Sequence, residues 1–170
     1  MRRTLALSLA LSLSLGLLSG CGPAAPAVQA QELTAQPVSV QPAGSPTVDQ
    51  ALTGFGLSLL QGARSTENGP VLLSPLSAAL ALSMAANGAD GNTLAQFEAI
   101  LGGGVPLEEL NAACTQLLSD YENLGGSTEC LIANSLWTDP EGMIREDFIG
   151  KCQGIFDAQV FSQDLSAPSV

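Results

Sequence analysis

Few side chains in this sequence could do chemistry, and the missing ones decide most of the question. The 170 residues include no histidine, so neither a Ser-His-Asp nor a Cys-His arrangement can form within the chain. Ser74, Ser77 and Ser83 lack the usual general base. Lys151 is the only lysine, and nothing in the sequence places it beside a serine. Beyond Cys21, the cysteines are Cys114, Cys130 and Cys152, too far apart for a C-x-x-C zinc knuckle. All three fall on apolar faces of expected elements. They are either buried thiols or, in an exported protein, one disulfide and one free thiol. The pairs Glu108-Glu109 and Glu146-Asp147 open helices, where a carboxylate meets the positive end of the dipole. The glycines at 88–91 and 102–104 are not followed by the Lys-Ser/Thr ending of a phosphate cradle. The expectation is a non-enzyme with no catalytic, cofactor-binding or metal-binding residue.

Charge narrows the partners. The chain carries 16 acidic against 5 basic residues, a net charge of −11. Arg2 and Arg3 lie in the leader, so processing makes the balance still more acidic. Such a surface repels nucleic-acid phosphates, and no nucleic-acid partner is expected. It also disfavours docking on anionic lipid.

The first residues read as a targeting segment. Arg2 and Arg3 form a positive start, and Leu5 to Leu18 is an apolar run too short to span a bilayer comfortably. Leu18-Ser19-Gly20-Cys21 resembles a bacterial lipobox. That resemblance implies cleavage before Cys21, a lipidated Cys21, and a membrane partner through the lipid anchor. Two or more acyl chains hold a protein where one does not. Residues 1–20 are then a lipoprotein signal peptide, and the product is exported. It is either lipid-anchored at the bacterial cell surface or secreted. Residues 21–47, with Pro23, Pro26, Pro37, Pro42 and Pro46, one charge (Glu32) and no aromatic residue, read as an unpacked tether.

Residues 48–170 read as the folded part. Val48, Leu52, Phe55 and Leu59 recur at helical spacing to Gly62. Val71-Leu72-Leu73 reads as a short strand. Ser74 is a natural N-cap and Pro75 suits a first turn. The helix that follows, to Ala86, is apolar on nearly every side and must be covered on every side. Asn87-Gly88 suits a left-handed helix end. Thr93 with Gln96 reads as a capping box for a helix striped by Leu94, Phe97 and Leu101, stopped at the glycines 102–104. Pro106 opens another, lined by Leu110, Cys114, Leu117 and Tyr121. Glu129 to Trp137 reads as a strand apolar on both faces. A last helix carries Phe148, Cys152 and Phe156, and a last strand runs from Gln159 to Gln163.

These blocks resemble a known family. Val71-Leu72-Leu73-Ser74-Pro75-Leu76-Ser77, an Ala-rich helix, then Asn87-Gly88-Ala89-Asp90-Gly91-Asn92-Thr93 is similar to the first third of the serpins. Ile132-Ala133-Asn134-Ser135-Leu136-Trp137, Ile144-Arg145-Glu146-Asp147-Phe148 and Phe156-Asp157-Ala158-Gln159-Val160 agree in order and spacing. The resemblance implies an α+β, multidomain serpin-like fold, here only its N-terminal helices and the first strands of its large sheet. It implies family-motif roles for Asn87, Gly88, Asn92, Thr93 and Asn134. It places Ser74, Pro75 and Ser77 in the shutter, where the strands of the large sheet part. It implies a parent protein that traps serine or cysteine proteases by cleavage and insertion of a reactive-centre loop. That loop lies outside these residues, so the chain is expected to be an incomplete serpin. The alternative is a non-inhibitory serpin-like surface lipoprotein acting as a binding or structural module.

Overall fold

The computed structural model describes residues 30–66 and 69–166. The leader, Cys21 and the first part of the expected tether lie outside the described residues. Among the described residues the order is β1 (Gln31–Leu33), α1 (Pro46–Thr66), α2 (Pro75–Ala86), α3 (Gly91–Gly102), α4 (Leu107–Glu122), β2 (Asn134–Thr138), α5 (Glu146–Phe156) and β3 (Ala158–Ser162). None of the described helices is long and apolar enough to cross a membrane.

The strands form one sheet in the order β1-β3-β2. β2 and β3 are parallel, with Leu136 opposite Val160, and α5 is the crossover between them. Parallel neighbours need such a crossover, because a tight turn cannot reverse the chain twice. β1 pairs antiparallel on the other side of β3, Leu33 opposite Val160. In β3, Ala158 and Val160 are buried while Gln159 is exposed, the alternation of a strand with one covered face.

The core is mostly helical. Phe156, Leu80, Leu101, Leu110, Val48 and Val160 are fully buried, with Ile149, Cys152 and Ile155 around them. One such aliphatic or aromatic side chain contributes about 2–3 kcal/mol on burial. Gly103 caps α3 in the left-handed region, φ +68°, where its N–H reaches Glu98 O. A Cβ there would also press on Thr47 of α1 at 3.1 Å.

Several expectations change. The tether does not extend to residue 47. From Ala30 the chain is packed: Leu33, Ala35 and Val40 lie against the core, and Ser45 is buried before α1 begins at Pro46. Composition hid this because the docking relies on backbone hydrogen bonds, which any residue but proline can donate. Val71–Leu73 runs without strand pairing. Extended backbone becomes a strand only when a neighbour accepts its hydrogen bonds, and none of the described strands lies beside it. For the same reason regular pairing in the Glu129–Trp137 stretch begins only at Asn134. Asp90, not Thr93, caps α3, its carboxylate accepting from Gly91 N–H at 2.7 Å. Gly88 is not left-handed, and Asn87 closes α2 in the right-handed region at φ −69°.

The α2 helix also departs from what its composition demands. Ala79, Leu80, Ser83, Met84 and Ala86 are buried, but Ala81, Leu82 and Ala85 are exposed. These residues cover one side of it and leave the other open.

Candidate functional site at the start of α2

The two ends of α2 carry most of the residues singled out by sequence. At the start, Ser74 is extended and its Oγ accepts from the Ser77 N–H at 3.3 Å. The Ser74 and Ser77 hydroxyls lie 2.8 Å apart and share a hydrogen bond. Pro75 takes the first helical position, where no N–H is missed. Both serines are exposed. Two open hollows flank Pro75. One, about 440 Å³, is lined by Leu52, Gly56, Leu57, Leu72 and Pro75. The other, about 270 Å³, is lined by Asp49, Leu52, Leu76, Ala79 and Tyr121. Exposed hydroxyls between apolar hollows can exchange partners cheaply, because water substitutes for either one.

The far end of α2 is sealed. Asn87 and Asn111 are buried and exchange amide hydrogen bonds: Asn87 Nδ2 donates to Asn111 Oδ1 at 2.8 Å, and Asn111 Nδ2 to Asn87 Oδ1 at 2.9 Å. Asn87 Nδ2 also donates to Ser83 O at 3.0 Å. The pair pins α2 to α4. Gly88 sits under Phe148, where a Cβ would come within 3.1 Å of the ring. The sequence marks Asn87 and Gly88 but not Asn111. Its one clue is an amide set between Leu110 and Cys114 on an otherwise apolar face.

The remaining motif residues are dispersed. Asn134 Nδ2 donates to Phe156 O at 2.8 Å, tying the first residue of β2 to the last of α5. Asn92 and Thr93 are exposed on the first turn of α3. The structure therefore joins Ser74, Pro75 and Ser77 in one place, Asn87 and Gly88 in a second, and Asn134 in a third.

Among the described residues, the titratable groups moved from their ordinary range are two buried thiols and one surface ion pair. The Cys114 thiol is pushed up by burial, with the neighbouring Ser83 hydroxyl opposing that shift. Ser83 Oγ itself is buried without a hydrogen bond of good geometry. The Cys152 thiol is pushed up to about 11 by burial. Cys114, Cys130 and Cys152 are free thiols. Arg145 lies 2.9 Å from Asp147, and its hydrogen bond holds that exposed carboxyl below the usual range. An exposed pair of this kind contributes little to stability.

A helical layer packed on a sheet begun by a parallel β2-α5-β3 unit, with a Ser-Pro-x-Ser start on a central apolar helix, is an α+β architecture of a specific kind. A family model described as serpin (serine protease inhibitor) matches residues 50–170. The chain is similar to a plasma serine protease inhibitor of Bos taurus, 33% identical over 101 residues, covering 58% of this chain and 25% of that protein. It is similar to neuroserpin of Mus musculus, 29% identical over 134 residues, covering 72% and 30%. Among solved structures it is similar to the native state of tengpin, a thermophilic serpin, with a TM-score of 0.66 and 32% identity, covering 79% of this chain and 35% of that one. A loop C-sheet serpin polymer matches with a TM-score of 0.65 and 32% identity, covering 78% and 35%. This chain belongs to the serpin family. It spans a quarter to about a third of the length of the relatives it matches.

Proposed function

We infer that these residues are the opening part of a serpin-type inhibitor that traps serine or cysteine proteases. The observation that carries this reading is the Ser74–Ser77 pair at the open start of α2, inside a segment matching the serpin family over residues 50–170. In such an inhibitor a protease cleaves an exposed loop and is held as an acyl-enzyme. The loop then enters the large sheet as a new strand, releasing stored strain. Opening that sheet above α2 requires polar contacts that break and reform at little net cost, and two exposed hydroxyls 2.8 Å apart suit that task. With no histidine in the sequence, these residues cannot assemble a Ser-His-Asp or Cys-His arrangement of their own. Specificity and trapping depend on the loop, which the resemblance places after the matched residues. Lipid on Cys21 would keep the inhibitor at the bacterial cell surface, where it meets exogenous proteases.

The test uses the product of the whole reading frame, mixed with trypsin-like, elastase-like and papain-like proteases. The expected result is an SDS-resistant complex of inhibitor and protease with at least one of them. Cleavage of the protein by all three, with no such complex, overturns the inhibitor reading.

A further inference from the structure

The segment before α1 lies in a groove that is built for an extended chain. It precedes the family match, which starts at residue 50. β1 pairs with the outer edge of β3. Gln153 of α5 then reads the backbone in both directions: Oε1 accepts from Ala35 N–H at 3.0 Å, and Nε2 donates to Leu33 O at 3.1 Å. Val38 N–H donates to Gly150 O at 2.9 Å. The floor is Gly150 and Gly154, one turn apart on α5. A Cβ at Gly154 would collide with the Val38 carbonyl, and one at Gly150 with that of Gln36. Only glycine at both positions lets a backbone lie this close to a helix.

The groove and its occupant differ in how firmly they are held. The walls stand on Ile149, Cys152, Ile155, Phe156 and Val160, all buried in the main core. The occupant puts no fully buried apolar residue into that core between Ala30 and Gly44. Leu33, Ala35, Val38 and Val40 are only half-buried. Its hold is mainly a few backbone hydrogen bonds, each a modest net contributor. A segment of that kind opens locally long before the core does. Opening leaves a free strand edge, a glycine floor and an unpartnered carboxamide, the elements of strand addition from outside.

We propose that the β3 edge and the Gly150–Gly154 face of α5 form an exchangeable docking groove for an extended peptide, closed in cis by residues 31–38 and able to accept the same segment of a second copy. The sequence that fits is its own, with Leu33 and Ala35 inward and Val38 crossing the glycine floor. Exchange of identical segments between copies requires no new complementarity.

The test uses the full chain and a labelled synthetic peptide of residues 31–40. Val38→Pro removes the N–H that bonds Gly150 and loosens the cis segment without touching the groove. The V38P chain is expected to bind the peptide at least tenfold more tightly than the unaltered chain. Adding Gly154→Ala to V38P should remove that binding. Hydrogen exchange on the unaltered chain gives an independent reading, in which Ala35 and Val38 amides should exchange at least a hundredfold faster than those of α4. The proposal fails if folded V38P does not bind the peptide, if G154A leaves binding unchanged, or if those amides exchange only with the core.

Discussion

At the scale of single residues, the buried polar groups of α2 make opposite demands. Asn87 and Asn111 satisfy each other, so removing one strands the other. Asn87→Ala should destabilise by about 1–3 kcal/mol, the desolvation penalty of an orphaned amide. Urea unfolding checks this, and N111A should cost nearly as much, with the double variant far short of additive. Ser83 stands on the other side of the ledger. Its hydroxyl already lacks a hydrogen bond of good geometry, so Ser83→Ala should be neutral or stabilising by up to about 1 kcal/mol in the same assay. The Cys152 thiol, pushed up to about 11, makes stability fall with alkali. The unfolded chain releases that proton near its ordinary value of 9.0, whereas the folded chain retains it until about 11. The contribution is complete below pH 9 and is lost as pH rises through that window. The urea midpoint should drop between pH 9 and 11, and the drop should be smaller in Cys152→Ala.

At the scale of elements, helix starts decide which similar-looking residues matter. Asp90 holds the first N–H of α3 at 2.7 Å, while Thr93 sits exposed inside the first turn. Asp90→Ala should therefore cost about 0.5–2 kcal/mol, and Thr93→Ala only a few tenths. Thermal melts of the two variants would separate them, and equal losses would contradict the cap assignment. At the start of α2, Ser74→Ala removes a real cap and should cost about 1 kcal/mol. The end of α3 has its own constraint. Gly103 at φ +68° has no room for a side chain against Thr47, so Gly103→Ala combines backbone strain of about 1–2 kcal/mol with a steric contact.

At the scale of the whole molecule, the residues described here leave much apolar surface uncovered. Leu72 is 97% exposed, Leu131 86% and Leu57 58%, and the open side of α2 adds Leu82. β2 pairs with β3 on one edge only, leaving its other edge free among the described strands. Free edges and contiguous apolar patches promote self-association. Expressed without its leader, this chain should bind a hydrophobic dye such as ANS and should self-associate at micromolar concentration in sedimentation velocity. Leu72→Asp together with Leu131→Lys should raise the monomer fraction. A dye-silent, sharply melting monomer would mean that the exposed side of α2 needs no cover, which the partial-serpin reading requires.

What the sequence settled by itself is local or pairwise in kind. The missing histidine excluded the common hydrolase triads, the Ser-Pro start located α2 to the residue, and the Phe148–Phe156 pattern located α5. Family motifs then gave the α+β class and its incompleteness, because each motif is a short run whose neighbours are fixed by the chain. The tertiary structure decided what depends on distant partners. No periodicity announces that Asn111 completes Asn87, that Asp90 outcompetes Thr93, or that Val71–Leu73 lacks a strand to pair with. The docked 30–45 segment is the clearest case. Its Pro- and Gln-rich composition reads as unpacked chain, and its backbone is held by partners far along the chain: the β3 edge, Gly150, Gln153 and Gly154, with Ala112 nearer by. Burial of backbone against backbone leaves almost no trace in side-chain pattern, so the sequence could not show it.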